Sequence, residues 1–127
     1  GNMDMREARA TSLEAAASYI KRTKPDVVVF DQIDKFHLMQ KYNSSHERLG
    51  ALYVKARSIA KQHQCLVILI TQASAEAIPG KAVTSDMMAN SKTDKGAEGD
   101  LIIGIGKPLS EQGLDISGVS MLVLLCA

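Results

Sequence analysis

The sequence predicts an α/β fold with a mostly parallel sheet flanked by helices, and three observations support this prediction. Two runs of consecutive apolar residues, 27–30 and 66–70, are typical of strands buried on both faces. A segment with helical periodicity lies between them, which is the order of a βαβ crossover. The length of 127 residues, with 46% hydrophobic and 23% charged residues, suits a single folded domain, which we place at residues 3–127.

Two capping boxes mark the starts of the predicted helices. The first, Thr11-x-x-Glu14, predicts a helix over 12–23 that ends at Lys24-Pro25. The second, Ser44-x-x-Glu47, predicts the helix between the two strands. Apolar residues at helical spacing follow this second box and form its predicted buried face: Leu49, Leu52, Tyr53, Ala56, Ile59 and Ala60.

Beyond residue 72 the sequence predicts two more strands and two irregular connections. The mostly apolar segments 101–105 and 119–126 are the predicted strands. The connection 73–99 has almost no apolar periodicity, and 108–118 is rich in turn residues. Long irregular connections in compact domains are usually functional or disordered, so the first of these is a candidate functional loop.

Composition excludes several classes of function. The net charge is +1, and the chain has three Tyr, two Phe and no Trp, so neither a strongly basic surface nor an aromatic stacking platform is indicated. The longest apolar run, 121–127, is far shorter than the roughly 20 residues that span a bilayer. Cys65 and Cys126 lie in or beside apolar runs, which predicts small core residues and a reducing, intracellular setting. Gly1 precedes Met3 and is consistent with a cloning remnant.

Polar side chains end the first two predicted strands. Asp31 follows the run 27–30, which is the Walker B pattern of a carboxylate that holds Mg²⁺ beside nucleotide phosphates. Gln72 ends the next strand, where an amide senses a terminal phosphate or orients a water. Because ligands sit beyond the carboxyl ends of parallel strands, we expect both residues to face one site. Asp34 is a further candidate for metal binding, and an ordinary loop or surface role is the alternative for each residue.

In order and spacing, five segments of the chain resemble DnaB-type replicative helicases, most of all their phage-encoded members. The resemblance implies a RecA-like P-loop NTPase core in which Asp31 is the magnesium ligand and Gln72 the phosphate sensor. It also implies that residues 73–96 face single-stranded DNA in the channel of a homo-hexamer. ATP and Mg²⁺ would be the cofactors, in the cytoplasm of a bacterium or a phage-infected host. The segments are Pro25 to Asp31, Glu47 to Lys61, Leu66 to Gln72, Thr84 to Asp86, and Gly96 to Ile103.

The chain departs from that family at both ends of the active site. Phosphate binding there needs G-x-x-x-x-G-K-[ST], whereas the nearest string here has Ala82 after Lys81. We therefore expect a partial core that starts after the phosphate loop and stops before the arginine finger, and that neither hydrolyses ATP nor holds it tightly. One alternative is another RecA-fold ATPase, such as a recombinase or a KaiC-like protein. A second is a degenerate α/β domain that binds a partner and performs no chemistry.

The long connection carries the candidate nucleic-acid contacts. Lys81, Lys92 and Lys95 would give a salt-dependent, sequence-independent affinity for the backbone of a single strand. Neighbouring acidic residues nearly cancel these charges, so an ordinary solvated loop is the equal alternative. For Glu98 and Asp100, which precede the third predicted strand, we expect a structural or intersubunit role.

Overall fold

The computed structural model describes residues 1–5, 12–72, 99–105 and 120–126, and these form an α/β fold with a four-stranded mixed sheet. None of the helices in these ranges is long and apolar enough to cross a membrane. The elements in chain order are α1 (Leu13–Thr23), β1 (Val27–Phe30), a 3₁₀ helix (Ile33–Lys35), α2 (Ser45–His63), β2 (Leu66–Gln72), β3 (Leu101–Ile105) and β4 (Ser120–Leu125).

Both α-helices are preceded by a serine N-cap. The Ser44 side chain accepts a hydrogen bond from the Glu47 backbone N–H, as the capping box predicts. In α1 the cap is Ser12, which accepts from the Ala15 N–H, so the prediction that Thr11 caps this helix is wrong by one residue. Thr11 itself lies outside the described residues. The residues that follow the two helices as C-caps, Lys24 and Gln64, have left-handed backbone conformations and close the last turn.

The strand order is β1-β2-β4-β3, and β1 and β2 are the one parallel pair in this described sheet. Strand β4 pairs antiparallel with both β2 and β3, so the predicted mostly parallel arrangement is wrong for the described strands. A parallel pair needs a crossover, usually a helix, and α2 supplies one between β1 and β2. The sequence between β3 and β4 has no helical pattern, and Pro108, Gly113 and Gly118 lie within it.

One face of the sheet is covered by the helices and holds the core. All six apolar positions predicted for α2 are buried, and a buried Leu or Ile contributes about 1.5–3 kcal/mol. They pack against alternate residues of β2, whose burial follows the period of two that a strand imposes. The buried apolar residues are Leu13, Ile20, Phe30, Ile33, Phe36, Leu49, Leu52, Tyr53, Ala56, Ile59, Ala60, Cys65, Val67, Leu69 and Leu125.

Among the described residues, the opposite face of the sheet is apolar and is open to solvent at β1 and β3. The register aligns Val27 and Val29 of β1 with the outward positions of β2, and Val29 is 55% exposed. In β3 the residues Leu101, Ile103 and Ile105 are also exposed. The prediction that β1 is buried on both faces is therefore wrong, because α1 and α2 cover one side of the sheet.

Candidate functional site

The candidate site lies at the carboxyl end of the sheet, defined here as the end at which β1 and β2 terminate. Strands β1 and β2 are parallel, and Phe30 pairs with Leu69. Asp31, which follows β1, and Gln72, which ends β2, therefore lie at the same end of the sheet. Both Asp31 and Gln72 are exposed. The register therefore brings the two predicted site residues to one end of two neighbouring strands, which is where open α/β sheets bind ligands.

A tight turn follows Asp31. Gln32 has a left-handed backbone conformation, with φ 54° and ψ 62°, and begins the 3₁₀ helix. This conformation is uncommon for a residue with a side chain and persists only where the surroundings hold it. Ile33 anchors the turn because its side chain is fully buried. Phe36 anchors the far side, where its ring packs edge-to-face on Phe30 at a centroid distance of 5.3 Å.

The turn places Asp34 beside the end of β2. The Thr71 hydroxyl donates a hydrogen bond to the Asp34 carboxylate oxygen Oδ2. Among the described positions, Thr71 is a polar residue that is fully buried. Asp34 is partly exposed. A charged acceptor makes such a hydrogen bond stronger than one between neutral groups. The loop after β1 and the end of β2 are therefore joined through these two side chains.

Arg48 of α2 holds the same loop from the other side. Its guanidinium donates to the backbone carbonyl oxygens of Phe36, at 2.9 Å, and Asp34, at 3.1 Å. Arg48 is partly buried, so solvent screens these contacts less than it would at the surface. The planar guanidinium reaches both carbonyls at once, which fixes the backbone of residues 34–36 relative to α2.

Tyr53 lies behind this link. Its side chain is buried, and its hydroxyl has a polar contact with Thr71 and experiences the charge of Asp34. Burial first, and the nearby Asp34 carboxylate second, raise the pKa of Tyr53 well above its usual value of 10.0, while the Thr71 contact lowers it. The phenol is therefore neutral at physiological pH and is a buried, uncharged polar group behind the link.

A second polar cluster lies at the other end of the sheet. Arg57 of α2 forms a bidentate ion pair with Asp100, just before β3, and Asp100 also accepts a hydrogen bond of 2.7 Å from the Cys126 N–H. The hydrogen bonds from Arg57 and then from Cys126 hold the pKa of Asp100 at about 2, below its usual range. These contacts within the chain agree with the structural alternative of the structural or intersubunit role expected for Asp100, whereas Glu98 lies outside the described residues.

The two cysteines differ from one another. Cys65 is buried at the start of β2, as predicted, and burial raises the pKa of its thiol. Cys126 is exposed, so the prediction of a core residue is wrong there. It follows the last residue of β4, where the strand leaves the core.

The fit of the site to Mg²⁺ depends on one exposed carboxylate. Magnesium retains waters and is usually bound through one or two carboxylates together with substrate phosphates. Asp31 suits this mode because it is exposed at the carboxyl end of the sheet, and Asp34 lies in the following turn. Across the described ranges, no group of three or more His, Cys, Asp or Glu side chains forms a cage for a metal. Lys81, Lys92 and Lys95, the predicted DNA contacts, lie outside the described residues.

Sequence reasoning missed three residues of this region. Thr71 gave a signal, because it is the polar member of the alternating buried series of β2. Arg48 precedes the apolar series of α2, and nothing in the sequence around it predicts that it binds backbone carbonyls. Tyr53 was predicted as core, and its apolar spacing conceals the polar role of its hydroxyl.

No protein-family model, curated protein or solved structure matches this chain.

Proposed function

We propose that the chain is part of a RecA-like ATPase core of a DnaB-type replicative DNA helicase. In this proposal Asp31 holds Mg²⁺ and Gln72 senses the terminal phosphate of ATP. The observation that carries it is the β1-α2-β2 unit, in which two parallel strands are neighbours. A carboxylate follows β1 and an amide ends β2 at the same end of the sheet. The order and spacing of the five helicase-like segments support the assignment to helicases within the RecA-like ATPases.

The remaining parts of the proposal concern the protein that contains this sequence. It would supply a G-x-x-x-x-G-K-[ST] loop, form a hexamer, and couple ATP hydrolysis to movement on single-stranded DNA. Bound Mg²⁺ would neutralise charge on the transferring phosphate. Lys81, Lys92 and Lys95 would contact the DNA backbone, and the Lys92→Ala/Lys95→Ala variant would then flatten the salt dependence of strand binding.

The experiment measures ATP hydrolysis stimulated by single-stranded DNA, using the natural-length product of the gene. Asp31→Asn is expected to lower kcat by about a hundredfold, because the metal and the phosphates lose their alignment. Asp26→Asn is the matched control, since Asp26 is an exposed aspartate that precedes β1 at the opposite end of the sheet. Equal activity of the Asp31→Asn and Asp26→Asn proteins would refute the proposal.

A second candidate is a degenerate α/β domain that binds a partner without chemistry. The absence of a G-x-x-x-x-G-K-[ST] motif from the 127 residues favours it. The antiparallel β4 beside β2 also favours it, because a RecA-like core has a parallel sheet there. A gene that encodes no phosphate-binding loop upstream of this sequence would decide for this candidate, whereas such a loop would support the ATPase.

A further inference from the structure

Thr71 occupies a position that the core alone would fill with an apolar residue. It follows Val67 and Leu69 in the buried series of β2, and all three side chains are fully buried. Valine has nearly the same shape as threonine, so packing does not explain the hydroxyl. Burying a hydroxyl without a partner costs free energy, and here the partner is Asp34. The hydroxyl is therefore explained by the link it forms.

Asp34 is fixed on both its backbone and its side chain. Arg48 donates to its carbonyl oxygen at 3.1 Å, and Thr71 donates to its carboxylate. The backbone between Asp31 and Asp34 passes through Gln32, whose Oε1 atom is buried without a hydrogen-bond partner in the described structure. A left-handed residue with an unsatisfied side-chain atom is held by its neighbours rather than by its own preference. The hydrogen bonds of Asp34 are polar contacts that hold the turn at Gln32 in place.

The link between Asp34 and Thr71 lies close in sequence to the two residues to which the proposed function assigns chemistry. Asp34 is three residues after Asp31, and Thr71 immediately precedes Gln72. Resting on the proposed function, we propose that Asp34 and Thr71 are positioning residues that set the distance between the magnesium ligand Asp31 and the phosphate sensor Gln72. In this role neither side chain contacts the metal or the nucleotide, so the proposal replaces the metal-binding role considered for Asp34 in the sequence analysis. They act by tying the loop after β1 to the end of β2, as outer-shell partners orient groups in other metal sites.

The test compares variants of the natural-length protein in the DNA-stimulated ATPase assay, with kcat and KM measured separately. Thr71→Val removes the hydroxyl and keeps the shape, while Thr71→Ser keeps the hydroxyl. Thr23→Val is the control for loss of a threonine hydroxyl elsewhere, since Thr23 lies exposed at the end of α1 and donates to the Tyr19 carbonyl. Thermal melting of each variant shows whether it is folded.

Thr71→Val is expected to lower kcat by about ten- to a hundredfold, as loss of outer-shell partners does elsewhere. The KM for ATP is expected to stay within about twofold, because the interaction lost acts on the reacting geometry. Thr71→Ser and Thr23→Val are expected to retain most of the activity. Asp34→Ala is expected to match Thr71→Val, and the double variant to fall no further, because the two side chains act as one unit.

Three results would overturn the positioning role. They are an unchanged kcat in a folded Thr71→Val protein, a Thr71→Ser protein as impaired as Thr71→Val, and fully additive losses in the double variant. If Thr71→Val does not fold, the kcat of Asp34→Ala decides in the same way. Asp31→Asn separates this inference from the proposed function. An active Asp31→Asn protein refutes the function, whereas an inactive one beside a fully active Thr71→Val protein refutes the positioning role alone.

Discussion

Arg57 and Asp100 lie 43 positions apart in the chain and form a bidentate ion pair, with one of the two hydrogen bonds 2.9 Å long. Asp100 accepts from the Cys126 N–H as well, so one carboxylate connects α2 to the start of β3 and the end of β4. These contacts hold β3 and β4 against α2, the helix that connects β1 to β2.

This carboxylate predicts a dependence of stability on acid. The pKa of Asp100 is lowered in the folded protein to about 2, from an unfolded value of 3.8. Its contribution is therefore fully present above pH 3.8 and is lost as the pH falls toward 2. Asp100→Asn should lower the urea midpoint at pH 7, and the difference from the wild type should shrink through that acid range. A constant difference between pH 7 and pH 2 would show that the ion pair contributes nothing through its charge.

The two faces of the sheet predict unequal effects for the same substitution. Val67 is fully buried on the helix-covered face, whereas Val29 is 55% exposed on the open face. Val67→Ala should lower the free energy of unfolding by about 2 kcal/mol, through lost burial and a residual cavity. Val29→Ala should cost less than about half of that, since its side chain is already in water. Urea unfolding followed by circular dichroism gives both values, and equal losses would mean that the open face is covered in solution.

The start of α2 offers a matched pair of adjacent serines. Ser44 caps the helix through its side chain, while Ser45 is its exposed first residue. Ser44→Ala should destabilise the protein by about 1 kcal/mol, because the Glu47 N–H loses its acceptor. Ser45→Ala should change stability by less than about 0.5 kcal/mol. Thermal or urea unfolding distinguishes them, and a reversed order would place the cap at Ser45.

Tyr53 predicts a loss of stability in alkali. Its pKa is raised in the folded state above the unfolded value of 10.0, so the folded protein retains a proton that the unfolded chain releases. The free energy of unfolding should therefore fall by up to about 1.4 kcal/mol per pH unit above pH 10. Tyr53→Phe should remove that slope, measured by urea unfolding at pH 8 to about 11. An unchanged slope would assign the effect to other groups.

Sequence periodicity predicted the first half of the fold because its signals are local. The bounds of β1 and the buried face of α2 follow from residues within one element, and the Ser44 cap follows from a contact three positions long. The approach of Asp31 and Gln72 to one end of the sheet was predicted as well, since a single helical crossover makes β1 and β2 parallel.

The rest depends on contacts that no local pattern contains. The insertion of β4 beside β2 is a choice among strand partners, and apolar strands are compatible with several orders. Thr71 and Asp34 are 37 positions apart, and their hydrogen bond depends on the turn at Gln32. Arg57 lies on an amphipathic helix, where a charged side chain is expected to be solvated. Its pairing with Asp100 can be predicted only when the position of β3 is known.

The strand order also sets an order of events during folding. The unit β1-α2-β2 assembles from neighbouring segments, and closing short loops is rapid and costs little chain entropy. By contrast, β4 pairs with β2 across the whole of residues 73–119, so β3 joins the sheet only after this distant partner has arrived. On a ribosome, β2 would emerge long before β4 and would meanwhile present an unpaired edge. An unpaired strand edge of this kind is a site for mispairing or for capture by a chaperone.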